Sequence, residues 1–430
     1  GALRRLDADA EITIVERELA GGECSYYACL PTKTLLRPTE VLVAARLAPG
    51  AAEAITGEID IERVHWWRDQ VTDGRDDSWH AGWLEEQNAD LVRGDARVSR
   101  PGVVAVGERE LEYDELVVAT GSHPAVPELA GLEDVDYWTN RDAVWASEVP
   151  ASLVVLGGGP VGCELAQFFG RLGSDVTIVE HHEHLLARVD AEAGKLLAER
   201  FAEDGIRIVV GSRVTRVERA GTGLRVSLEE GDALEAERLL VATGRQPNVA
   251  GIGLEEIGVE ITRAGVKVDD RLRAAEGIWA IGDAAGIGLL THLGKYQARV
   301  AAANIAGRDV RADYRAVPAA VFTDPQVASV GRTDGDGVVT GRYEIAGGRL
   351  STYERPKRPG LVKVAADRDD RVLVGAVAVG PEAGEWLGQL TLAVRARVPI
   401  DVLLDTIQPY PTFSEAIFGA LLELASALDG

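Results

Sequence analysis

Cys24 and Cys29, in the segment GGECSYYACLPTK, are the residues of this chain whose type and spacing best suit redox chemistry. On a regular helix, residues five apart have Cα atoms roughly 8.6 Å apart, whereas a disulfide closes only within about 7 Å. A bridge therefore requires a distorted backbone. Gly21 and Gly22 free the approach, and Pro31 is expected to interrupt regular hydrogen bonding just downstream. A strained bridge at a helix start is readily reduced, and the helix N-terminus together with Lys33 favours a thiolate. The competing reading is two unrelated buried cysteines; the glycines before, the P-x-K after and the strand-like EITIVE upstream favour the redox pair. With three cysteines in 430 residues a disulfide scaffold is excluded. The third, Cys163, reads as a small packing residue.

The elements that position such chemistry are legible around a second motif. SLVVL, GGGPVG, CELAQFFGRLG and DVTIV follow one another over Ser152–Val179 as strand, glycine loop, helix and strand. Gly157, Gly159 and Gly162 fit G-x-G-x-x-G, in which glycines admit a pyrophosphate to a helix N-terminus. Glu180 ends the next strand, eighteen residues after Gly162, placed to accept hydrogen bonds from ribose hydroxyls. A carboxylate there repels a 2′-phosphate, so NADH is expected in preference to NADPH, with His181 and His182 softening that preference if charged. His181, His182 and His184 read as a solvated lip beside the nucleotide, and no metal site is expected.

A fainter copy of the same unit opens the chain. ALRRL reads as the last turn of a helix and EITIVE as a strand ending in Glu16, which repeats the role of Glu180. The glycine loop expected about 20 residues ahead of Glu16 falls before Gly1, as though the sequence enters a fold in mid-helix; it also contains no methionine. LVVATGSHP and LLVATGRQP repeat each other around Thr120–Gly121 and Gly244, which suggests two related dinucleotide-binding domains. GIWAIGDAAG runs a strand into Gly282 and Asp283, a carboxylate at a tight turn suited to a cofactor hydroxyl. After about Val317, segments such as LVKVAAD and RVLVGAVAVG and a helix near Gly384–Ala396 indicate an α+β domain with an antiparallel sheet. RTDGDG at Arg332–Gly337 reads as a loop.

Apolar residues make up 46% of the chain and the formal net charge is −24. That charge argues against a nucleic-acid partner. No apolar run approaches the roughly 20 residues that span a bilayer, and no secretory signal opens the sequence, so no membrane partner and a cytoplasmic location are expected.

In order along the chain, GGECSYYACLPTK, the paired ATG segments, GGGPVGCE, IGDAAG and PYPTFSE resemble the FAD-dependent pyridine nucleotide–disulfide oxidoreductases, the family of dihydrolipoamide dehydrogenase and mercuric ion reductase. VFTDPQVASVG and HLGKYQARVAAANI are closest to those two members. The resemblance implies an α/β fold with two Rossmann-like dinucleotide-binding domains, for FAD and NAD, plus an α+β C-terminal dimerisation domain. The expected divisions are 1–147 for FAD, 148–250 for NAD(P), 251–315 as the FAD return segment and 316–430 as the interface of a homodimer. It further implies that Cys29 is the flavin-proximal thiol and Cys24 the interchange thiol. Lys33 would pair with Glu164 near the flavin, and Glu16 and Asp283 would hold the FAD ribose and ribityl chain. Gly22, Thr120, Gly121, Gly244 and Gly282 join the cofactor-binding set. Electrons would pass from NAD(P)H through the flavin to the cysteine pair and on to a small-molecule or thiol/disulfide acceptor.

The sequence departs from that pattern in one place. Where the disulfide-reducing members carry histidine in H-P-T-x-S-E, this chain has Tyr410, with Glu415 kept. Tyrosine ionises near pH 10 and is a poor proton shuttle at neutrality. Tyr410 resembles the mercuric reductase arrangement, yet LASALDG ends the sequence without that group's cysteine pair. A metal-ion or quinone reductase is therefore the alternative reading, and a dimer without catalytic function is the alternative of a different class.

Overall fold

SLVVL has no polar residue after its serine, and it forms the strand Ser152–Leu156 inside a four-stranded parallel sheet. The order is Arg207–Val209, Asp175–Val179, Ser152–Leu156, Arg238–Val241. Leu153 and Val155 on one face and Val154 on the other are all buried, as strands covered on both faces require. The helix Pro160–Arg171 starts on a proline, where no amide donor is needed, and buries Leu165, Ala166, Phe168 and Phe169. Gly173, at φ 96°, lies just beyond its end. A three-stranded antiparallel sheet, Val214–Ala220, Gly223–Leu228 and Leu234–Ala236, adjoins this βαβ unit in sequence.

The computed structural model describes residues 1–345 and 360–430, which divide into two units. The one containing the glycine loop comprises Thr32–His65, Val126–Thr243 and Tyr314–Gly430. Its C-terminal part is a five-stranded antiparallel sheet in the order Pro318–Val321, Gln326–Gly331, Leu373–Gly380, Leu361–Asp367, Val338–Glu344. The helix Phe413–Asp429 packs on this sheet through Ala416, Ile417, Ala420, Leu421 and Leu424. The helix expected near Gly384–Ala396 is two helices, Ala383–Trp386 and Gly388–Ala396. The loop expected at Arg332–Gly337 lies between the second and fifth of these strands.

Asp190 ties the two parts of this unit together. It caps the helix Ala191–Glu203 by accepting from Glu192 N at 3.0 Å, and its other oxygen accepts from Lys363 Nζ at 2.7 Å and Thr333 Oγ1 at 3.2 Å. Burial pushes the carboxyl up, but the Lys363 ammonium and the two other donors outweigh it and hold it below its ordinary value. A depressed carboxyl contributes stability that is complete above its unfolded pKa, about 3.9, and lost as pH falls through the folded value. Asp190→Asn keeps a capping oxygen but loses the ion pair. It should cost about 1–2 kcal/mol at pH 7 in chemical denaturation, and the difference from the parent should shrink below about pH 4.

The other unit comprises Gly1–Pro31, Trp66–Ala125 and Gly244–Asp313. Ile12–Glu16 pairs in parallel with Ala89–Arg93, and Leu116–Val118 in parallel with Ile278–Ala280. An antiparallel ribbon, Ala96–Arg100, Val103–Val106 and Arg109–Glu112, supplies Val98, Val104 and Val106 to a core shared with Val118, Leu254 and Ala280. The two repeated ATG segments meet here, because Ser122–Pro124 and Arg245–Pro247 pair as antiparallel strands.

Candidate functional site

The backbone breaks where the cysteine spacing demands it. Cys24 lies in the short helix Gly22–Tyr26, and Cys29 is the first residue of the helix Cys29–Leu47. The interruption is at Tyr27–Ala28, upstream of the proline expected to cause it. Pro31 is the third residue of the second helix, where the missing amide would have had no intrahelical acceptor, so the helix runs through it. Both thiols are half-buried and form a close pair, in which Cys29 acts on the Cys24 thiol.

The environment favours negative charge on sulfur. Cys29 Sγ stands 3.4 Å from Thr291 Oγ1, and Thr291 is the first residue of the fifteen-residue helix Thr291–Ile305. Two helix N-termini therefore converge on Cys29. The Cys24 thiol is pushed up, first by its hydrogen bond with Cys29 and then by burial, while the Thr291 hydroxyl and Lys295 ammonium pull the other way. Since Cys29 is the largest cause, Cys29→Ala should bring the pH midpoint of Cys24 alkylation down toward the ordinary thiol value of about 8.5. Peptide mass spectrometry after iodoacetamide pulses reads this directly. An unmoved midpoint would assign the shift to burial instead.

Glu23, beside Cys24, begins a chain of polar contacts. Arg245 Nη2 lies 3.2 Å from Glu23 Oε2; Arg245 Nε donates to Ser122 Oγ at 2.7 Å, and Ser122 Oγ donates to Asp283 Oδ2 at 2.5 Å. Both ATG turns, the Gly282–Asp283 turn and the cysteine helix are thereby brought together. Asn248 fastens the first turn, its Nδ2 donating to Thr120 O at 3.0 Å and its amide to Gly121 O at 2.9 Å. Gly22, Gly121, Gly244 and Gly282 all face open space. Glu16 is half-buried and accepts from Glu18 N at 2.8 Å. Glu180 accepts from His182 N at the same offset and distance, so the two strand-end carboxylates share one local geometry.

Lys33 lies one turn into the helix that Cys29 begins. Its Nζ donates to Glu164 Oε2 at 2.7 Å and sits 4.9 Å over the Phe322 ring. Glu164 is buried, and its second oxygen accepts from Phe322 N at 2.8 Å. Gln167 exchanges hydrogen bonds with the Asp324 backbone, and Arg171 Nη2 binds Asp324 Oδ2 at 2.9 Å. Glu164, Gln167 and Arg171 thus lie along one face of their helix and clamp the segment Phe322–Asp324.

The glycine loop has its three glycines in different situations. Gly157 has φ 112°, and a Cβ on Gly162 would run into the Gly157 carbonyl, so helix and strand pack too closely for any side chain. Gly159 caps the helix with ordinary extended backbone and faces open space. Glu180 Oε2 accepts from Gly158 N at 2.7 Å, which anchors the carboxylate to the loop. Cys163 donates to Gly158 O at 3.2 Å, and burial pushes its thiol well up, leaving it unreactive.

Tyr410 is exposed on the loop ahead of the helix Phe413–Asp429, and Glu415 is in that helix's first turn. Sequence reasoning missed Ser122, Arg245, Thr291 and Lys295, each far in sequence from the group it acts on. Among the described residues, no helix is long and apolar enough to cross a membrane.

Comparison with known proteins gives a consistent result. The family model described as pyridine nucleotide-disulphide oxidoreductase matches residues 1–308, and its dimerisation-domain model matches residues 317–420. The dihydrolipoyl dehydrogenase of Thermus scotoductus is 34% identical over 99% of this chain and 94% of its own length. The mercuric reductase of Acidithiobacillus ferrooxidans is 33% identical, covering 97% of this chain and 78% of that protein. Among solved structures, LpdA from Mycobacterium tuberculosis superposes with a TM-score of 0.86 at 27% identity, covering 98% of this chain and 95% of that one.

Proposed function

The chain belongs to the pyridine nucleotide-disulphide oxidoreductase family, and from that premise we propose an NADH-dependent flavoprotein whose Cys24 exchanges with a disulfide-type acceptor. Membership makes it an FAD- and NAD(P)H-dependent oxidoreductase working through a close cysteine pair, built from two Rossmann-like domains and a dimerisation domain. The observation that carries the proposal is the close pair itself, with the N-termini of two helices at Cys29 and the Lys295 ammonium acting on Cys24.

The residues present fit the implied groups. Open left-handed glycines at Gly22, Gly121 and Gly282 leave room for a dinucleotide, and the half-buried carboxylates of Glu16 and Asp283 suit its ribose and ribityl hydroxyls. When bound, FAD supplies a two-electron relay between the nicotinamide and the cysteines. Gly157, Gly159 and Gly162 would hold the NADH pyrophosphate and Glu180 its adenosine ribose. Since Glu180 is a buried carboxylate fixed by Gly158 N, a 2′-phosphate beside it would meet uncompensated negative charge, which favours NADH over NADPH.

Roles within the pair follow from position. Cys29, at the convergence of two helix N-termini with Lys33 one turn further on, is the thiol that holds the thiolate, on the flavin side. Cys24, on the short helix, is the one free to form a mixed disulfide with the acceptor, and Cys29 resolves it by displacing the acceptor's second sulfur. Lys33, fixed by Glu164, supplies a positive charge from a defined position. The dimerisation domain makes the working unit a homodimer, with Tyr410 and Glu415 on the acceptor side.

Tyr410 favours a second reading, reduction of a soft metal ion or a quinone, because no imidazole is available there to shuttle a proton. Anaerobic addition of NADH to the oxidised full-length protein should expose two additional thiols per chain, counted with a chromogenic disulfide; no new thiols would overturn the proposal. Tyr410→Phe should change turnover with the acceptor severalfold while leaving kcat/KM for NADH, which reports the NADH half-reaction alone, within about twofold. A large fall in that ratio would remove Tyr410 from the acceptor side.

A further inference from the structure

The structure assigns a second role to the end of the strand Asp175–Val179: we propose that Glu180, His181 and His182 form a site for a divalent transition-metal ion, and that the ion and NADH exclude one another.

One potential ligand atom from each of these residues lies within 4.8 Å of the others, and theirs is the one such group of three among the described residues. His181 Nδ1 is 3.0 Å from Glu180 Oε1, and the two imidazole rings are 3.8 Å apart between centroids. His184 takes no part; its Nδ1 is engaged with the Leu185 carbonyl at 2.8 Å. Read along the sequence, the three histidines are equivalent. In the structure, two converge on a carboxylate and the third is committed elsewhere.

The anchor is preformed. Glu180 is buried and takes backbone donors on both oxygens, from Gly158 and from His182, so its position is fixed before any ion arrives. The histidines are exposed and free to adjust. An ion bound at about 2.0 Å in tetrahedral geometry spaces its ligand atoms about 3.3 Å apart. Closing from 4.8 Å to that spacing is a movement of about 1.5 Å, the scale of rotation of two exposed imidazoles. Two imidazoles and one carboxylate select zinc, copper(II) or nickel(II) over magnesium or calcium, and solvent completes the coordination. The ion withdraws Glu180 from hydrogen bonding to a ribose. The mutual exclusion rests on the assignment of Glu180 to the NADH ribose; the metal site does not.

The test uses the full chain in a Cys24→Ser/Cys29→Ser background, so that the redox thiols do not compete for the metal. Zinc chloride is titrated calorimetrically, and NADH affinity is followed by its own fluorescence with and without zinc. One zinc per chain is expected, with affinity falling at least about tenfold in His181→Ala/His182→Ala, as removing two of three protein ligands requires. Zinc at ten times the parent's Kd should weaken NADH binding about tenfold in the parent and by no more than about twofold in the double variant. The metal site is overturned if zinc does not bind, or binds equally well without the two histidines. Zinc binding that needs both histidines yet leaves NADH affinity unchanged overturns Glu180 as the ribose partner and with it the exclusion, while the metal site stands.

Discussion

Cys29→Ser should lower NADH-dependent disulfide reduction by on the order of 10³-fold or more, and Cys24→Ser should do the same, by losing different functions. A factor of 10³ corresponds to about 4 kcal/mol of lost transition-state stabilisation. The two sulfurs act as one unit: the pair accepts two electrons as a disulfide and carries them as a dithiol only when both are present, so either serine removes the whole relay and the losses do not add. The surroundings of the remaining sulfur separate the variants. In Cys24→Ser, Cys29 keeps Thr291 and both helix N-termini, which favour its thiolate, so iodoacetamide should alkylate it at a lower pH than it does Cys24 in the other variant. In Cys29→Ser, Cys24 loses the larger cause of its raised pKa and keeps only its burial, so its alkylation midpoint should fall below the parent's yet stay above that of Cys29 in Cys24→Ser. Parallel assays with a small disulfide and a quinone complete the test. Cys24→Ser with undiminished disulfide reduction would overturn the exchange role, whereas loss toward the disulfide alone would show that the quinone takes electrons without the pair.

What the sequence disclosed and what it hid follow from the range of the interactions. The C-x4-C spacing carried a geometric contradiction that only a broken helix could resolve, and the break is there, two residues before Cys29 rather than at Pro31. A proline in a first turn is harmless, and locating that turn needed the fold. Strand, glycine loop, helix and acidic strand end were legible because each lies within thirty residues of the next and is specified locally. Thr291 is 262 positions from Cys29 and Arg245 is 123 from Ser122; no periodicity links such pairs. One long-range contact did leave a trace. Glu164, Gln167 and Arg171 form a polar stripe in an otherwise apolar helix, and buried polar groups must find partners. Their partner is the segment Phe322–Asp324, which the sequence marked only as part of a family-like motif. The lip histidines show the reverse case, where adjacency in sequence concealed that His184 is committed elsewhere.

Two substitutions in the glycine loop should separate binding from folding. At Gly159 the backbone is extended, at φ −76° and ψ −178°, which any residue adopts, and a Cβ would meet nothing within 4 Å. Gly159→Val should therefore fold with a stability within about 1 kcal/mol of the parent, the scale of a changed helix cap. Its isopropyl group would fill the space before the helix N-terminus where a pyrophosphate must approach the backbone amides, so NADH affinity should fall about 100-fold or more. Gly162 presents the opposite case. A Cβ there collides with the Gly157 carbonyl in the backbone of the loop itself, and Val155 stands behind it. Gly162→Ala adds a single methyl yet must push helix Pro160–Arg171 off the sheet, at a cost of about 2–4 kcal/mol read by thermal or chemical denaturation. Weakened NADH binding in that variant should come with lost stability, whereas in Gly159→Val the two effects part. Calorimetric Kd values for NADH set beside denaturation midpoints make the comparison. If Gly159→Val binds NADH as the parent does, the pyrophosphate does not lie on this loop, and the assignment of Gly157–Gly162 to the dinucleotide falls whatever the stability of either variant.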